Sequence, residues 1–135
     1  MLDVENEMDP RAGLRDGRWE VRRASCWWLW RFGQPSDFDL IAPLVRDPRS
    51  QVRAVALGAL THGPAFTSHP DVVPLLLERA CHDESLRVRR QAVLMLAWTR
   101  AHPDLVEFFR GLLETERDEK LCHYARLGIA RAESC

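Results

Sequence analysis

Histidine and cysteine are the side chains here that most readily ligate metals or act as bases and nucleophiles. The histidines are His62, His69, His82, His102 and His123, and Cys81-His82 is echoed by Cys122-His123. Neither HExxH nor paired CxxC spacing occurs. No spacing argues for a Ser-His-Asp or Cys-His arrangement, and there is no glycine-rich phosphate loop. The expectation is no catalytic residue, no metal site and no cofactor. Arginine and tryptophan remain. Of 19 basic residues only Lys120 is a lysine; arginine suits bidentate contacts to carboxylates or phosphates, although a GC-rich genome gives the same bias. Trp19, Trp27, Trp28 and Trp30 crowd one segment. They fit a hydrophobic cap, a protein-binding anchor or a base-stacking platform.

Composition narrows the partners. A net charge of −1 gives no global pull toward nucleic acid or anionic lipid, and no apolar run approaches a membrane-spanning length. Cys26, Cys81, Cys122 and Cys135 are scattered, which points to reduced thiols in a cytoplasmic protein, with Cys135 free. Asp3, Glu5, Glu7 and Asp9 are the opposite of a signal peptide. With 135 residues and 46% hydrophobic content, the chain is long enough for one domain with a substantial core.

The elements that position these side chains follow a repeat. Asp83 leads to Val88-Arg89, Ala92 and Leu96. Asp47 leads to Val52-Arg53, Ala56 and Leu60; Asp16 leads to Val21-Arg22, Ser25 and Leu29. Glu116 leads to Leu121, Ala125 and Ile129, with Cys122 in place of the arginine. Successive aliphatic anchors lie 31, 36 and 33 residues apart, a period typical of stacked helical hairpins. The periodicity predicts helices over 18–32, 37–46, 50–62, 70–81, 85–100, 103–115 and 118–132, a short one over 8–15, and essentially no sheet. Ser36 and Ser50 are predicted N-caps, Pro43 a kink, and His69-Pro70-Asp71 and His102-Pro103-Asp104 matching helix openings.

The Asp, Val-Arg, Ala, Leu pattern resembles HEAT repeats, particularly the short bacterial type first associated with phycobilisome lyases. The resemblance covers 14–132. It implies an all-α, right-handed α-α superhelix, a HEAT-like solenoid of about four hairpins. The expected organisation is one domain over 1–135. It comprises an acidic lead-in or partial cap helix at 1–13 and repeats at 14–34, 35–64, 69–101 and 102–133. The resemblance also implies that second helices line a concave surface and that Asp16, Arg22, Asp47, Arg53, Asp83 and Arg89 form an inter-repeat ladder. HEAT-repeat hydroxylases carry His-Glu dipeptides, and this chain has none.

If second helices line the groove, the residues opposite the core stripe face a partner. These include Arg23, Trp27, Trp30, Arg90, Leu94 and His123, with small or apolar residues between them. Such a groove suits a protein or peptide partner. The expected function is non-catalytic protein binding; packing between repeats is the competing explanation for Trp27 and Trp30. A nucleic-acid binder using Arg22, Arg23, Arg89 and Arg90 on phosphates, and a glycosylase- or lyase-type enzyme, are the alternatives. A homodimer through the groove is also open.

Overall fold

Apolar residues recurring every three to four positions bury one face of a helix, and here that period sets every element. The computed structural model describes residues 9–100 and 102–134. Among the described residues the all-α fold comprises eight α-helices: α1 (Pro10–Gly13), α2 (Trp19–Phe32), α3 (Phe38–Ile41), α4 (Ser50–His62), α5 (Val72–His82), α6 (Leu86–Thr99), α7 (Val106–Thr115) and α8 (Glu119–Glu133). No strand occurs among the described residues. The acidic lead-in at 1–8 and Cys135 lie outside them.

Val72 closes one compact unit and Val73 begins a second. In the first, α2 packs beside α4, and the stretch around α3 covers α4. Leu29, Ile41, Val45, Val52, Leu57, Leu60 and Phe66 are buried. In the second, α6 packs beside α8 and α7 covers α8, with Leu76, Val88, Leu96, Phe109 and Leu121 buried. Each such side chain contributes about 1.5–3 kcal/mol when fully removed from water.

Three local expectations are corrected. Ser36 is not a cap: the turn opens two residues earlier, where the Gln34 amide donates to Asp37 at 2.8 Å and Pro35 takes the first helical position. Helix 37–46 is not one kinked helix. Pro43 has no N–H to donate, and the chain runs as a four-residue α3 followed by a 3₁₀ turn over Ala42–Arg46. Ser50 does not cap α4, whose N-cap is Arg49; the Arg49 amide instead donates to Asp47 Oδ1 at 2.9 Å. The two His-Pro-Asp openings behave alike. His69 Nδ1 accepts from the Asp71 amide at 3.1 Å, and His102 Nδ1 from the Asp104 amide at 3.2 Å.

Candidate partner-binding surface

The turn before each second helix is built by the same bonds. Asp16, Asp47 and Asp83 each accept from the amide two residues on, at 2.8, 2.9 and 2.8 Å. Arg22, Arg53 and Arg89 each donate Nη1 to the carbonyl of the aspartate six residues back, at 2.9, 2.8 and 2.9 Å. Cys122 replaces the arginine in the fourth copy, and its Sγ donates to the equivalent Glu116 carbonyl at 3.4 Å. The sequence pattern therefore marks a turn clamp within each hairpin.

Bonds between hairpins are a separate set. Arg22 grips Asp47 bidentately at 2.7 and 3.0 Å. Arg11 does the same to Asp37 at 2.7 and 2.8 Å, and this guanidinium holds the Asp37 carboxyl below the usual carboxylate range. In the second unit the bridging residue is Arg90. It meets Asp118 at 2.7 and 2.5 Å, while Arg89 makes only a 3.7 Å ion contact with Glu116. Asp118 also caps α8 by accepting from the Leu121 amide at 2.9 Å. The Arg90 bond and then this amide bring its carboxyl down to about 2. A carboxylate of its own unit thus already satisfies the planar fork of Arg90.

The remaining candidates divide between the units. In the first, Arg23 and Trp27 lie on the exposed side of α2 and line an open pocket of about 380 Å³ with Glu20, Ala24 and Val55. Trp27 is 50% exposed. It meets Trp30 edge-on, with ring centroids 4.8 Å apart. Trp30 is only partly exposed, because its ring lies across Gly58 of α4. A Cβ at that glycine would come within 2.5 Å of the indole. Gly58 was overlooked as a supporting residue; a lone glycine in the middle of a predicted helix was the available signal. Arg23 makes no ion pair among the described residues. In the second unit Leu94 is half-buried, and His123 is exposed with its ring 6.0 Å from Tyr124.

Burial pushes the Cys26 thiol up to about 12, with Asp47 adding to the effect, so it is a poor nucleophile near neutral pH. Burial also raises the Cys81 thiol. Among the described residues no three His, Cys, Asp or Glu side chains gather as a metal site. No helix among them is long and apolar enough to cross a membrane.

The turn clamp, the paired helices and the inter-hairpin arginine bridges together describe a helical repeat. The sequence model for HEAT repeats matches residues 39–129. The chain belongs to the HEAT-repeat family. The match spans the third hairpin and nearly all of the second and fourth, and the tryptophan-rich first hairpin lies before it. Searches against curated proteins and solved structures gave no match. HEAT repeats are generally protein-interaction scaffolds.

Proposed function

We propose that this HEAT protein is a non-catalytic interaction module. Its protein or peptide partner docks on the side of α2 that presents Arg23 and Trp27, the side expected to line the concave face. The observation that carries this reading is the setting of Trp27. Half its surface is open at the rim of a pocket, yet the ring is braced by Trp30, which is itself seated on Gly58. A braced aromatic gives a large contact area at little cost in side-chain entropy, which is why tryptophan and arginine dominate interface energetics. Arg23 beside it supplies a cation that makes no ion pair among the described residues. In the second unit, taken by itself, Leu94 and His123 are proposed as partner contacts.

The nucleic-acid alternative is less well supported. Of the four arginines it needs, Arg22, Arg89 and Arg90 already contact carboxylates of the chain. Photocrosslinking from position 24, an exposed residue of the same pocket, in the native host, with position 87 as an exposed control, tests the docking site. The proposal expects a discrete protein adduct from position 24 that is absent from position 87. Adducts that are the same from both positions, or nucleic-acid adducts only, contradict it.

A further inference from the structure

The opposite side of α2 carries a second feature, independent of the Trp27 pocket. At 100° per residue, positions seven and eleven after each anchor return to the core stripe. In the second and fourth hairpins these positions are Ala59 and Gly63, and Gly128 and Ala132, all buried. In the third, Met95 is buried and Thr99 half-buried. In the first hairpin they are Trp28 and Phe32, which are 41% and 58% exposed. The rings lie 5.0 Å apart and form an open apolar patch on a stripe that the repeat otherwise buries.

In the second hairpin the Phe66 ring, between α4 and α5, lies against Gly63, and in the fourth a helix covers the stripe. In the fourth hairpin the Phe109 ring of α7 lies against Gly128, so closely that a Cβ there would come within 2.5 Å. The residue twelve before each anchor is Leu40, Leu76 and Phe109 in the later hairpins, and Asp9 in the first. Asp9 is exposed and accepts from the Arg11 amide at 3.0 Å as the N-cap of α1, with Pro10 at the first helical position. The helix α1 therefore begins there and supplies one turn. Through Gly13 it reaches Val21 and Ser25, the N-terminal half of the stripe, and Trp28 and Phe32 stay open beyond it.

We infer that Trp28 and Phe32 bind an acidic amphipathic helix of a partner protein, which takes the place that α7 holds in the fourth hairpin. Helical form follows from the register. Acidity follows from Arg31, whose guanidinium lies 5.8 Å from the Phe32 ring centroid and makes no ion pair among the described residues. The same charge disfavours a second copy, since two such faces packed on one another would bring Arg31 against Arg31.

The probe is a synthetic peptide of about 14 residues, roughly four helical turns, with leucines on one face and flanking glutamates. A second peptide carries lysines in place of the glutamates. Both are titrated into the full chain by fluorescence anisotropy. The expected result is saturable binding of the glutamate peptide. Binding should weaken by at least about tenfold in Trp28→Ser/Phe32→Ser, weaken in Arg31→Glu, be unchanged in Arg87→Ala, and be weaker for the lysine peptide. Both aromatics are exposed, and a circular dichroism spectrum matching wild type shows that the double variant is folded. Absence of saturable binding, or equal binding by the double variant, overturns the inference. So does a dimer in sedimentation, or binding to anionic vesicles, that the double variant abolishes while peptide binding is missing. None of these outcomes depends on Trp27, so the docking site proposed above stands or falls separately.

Discussion

Two glycines hold the aromatic architecture together, and they differ in how much room their neighbours have. A methyl at either position would come within 2.5 Å of a ring. Trp30, over Gly58, is partly exposed and has space to move outward, whereas Phe109, over Gly128, is fully buried. Gly128→Ala should therefore destabilise the protein by about 3 kcal/mol and Gly58→Ala by about 1 kcal/mol, the two ends of the range for overpacking. Urea unfolding checks the order. Gly58→Ala should also alter the near-ultraviolet circular dichroism of the Trp27–Trp30 pair, since the ring that must shift belongs to it. Titration of Asp118 gives a second residue-scale expectation. Its folded value of about 2 lies below the ordinary aspartate value of 3.8. A carboxylate depressed by folding stabilises fully above its unfolded value and loses that contribution as pH falls through the folded one. Between pH 4 and about 2, the urea midpoint of Arg90→Met should fall less steeply than that of the wild type.

Among the helices, the contact most exposed to a single change is the bridge from α2 to the turn before α4. Asp47 is almost wholly buried and Arg22 largely so. Removing the cation leaves a carboxylate in a poorly hydrated place, which typically costs 3–5 kcal/mol for a buried pair. Because Arg22 keeps some exposure, Arg22→Ala should cost about 3 kcal/mol, measured by chemical denaturation. A cost below about 0.5 kcal/mol would mean the bridge behaves like a surface pair. Most helices were readable from the sequence, because apolar period and Pro or Gly stops are local signals. The breaks around Pro43 and the caps at Gln34 and Arg49 were not, because Ser36 and Ser50 are good capping residues whose competitors sit two residues and one residue earlier. Arg89 and Arg90 show a similar limit. Both are arginines on one helix, and only the position of Asp118 decides which one bridges.

For the chain as a whole, the repeat spacing carried the family assignment, since a long-range period does not depend on local propensity. The candidate surface was harder to read. Helical geometry placed Arg23 and Trp27 opposite the core stripe, but exposure depends on what neighbouring helices cover. It took the structure to seat Trp30 on Gly58, to commit Arg90 to Asp118, and to leave Trp28 and Phe32 open. The account rests most heavily on Trp27 as a partner anchor. The decisive measurement is the calorimetric affinity of the crosslinked partner for wild type and for Trp27→Ala, with Arg87→Ala as control. The prediction is a loss of about 2 kcal/mol or more, roughly a thirtyfold rise in Kd, for Trp27→Ala alone. An unchanged Kd in a variant whose circular dichroism matches wild type would contradict the account.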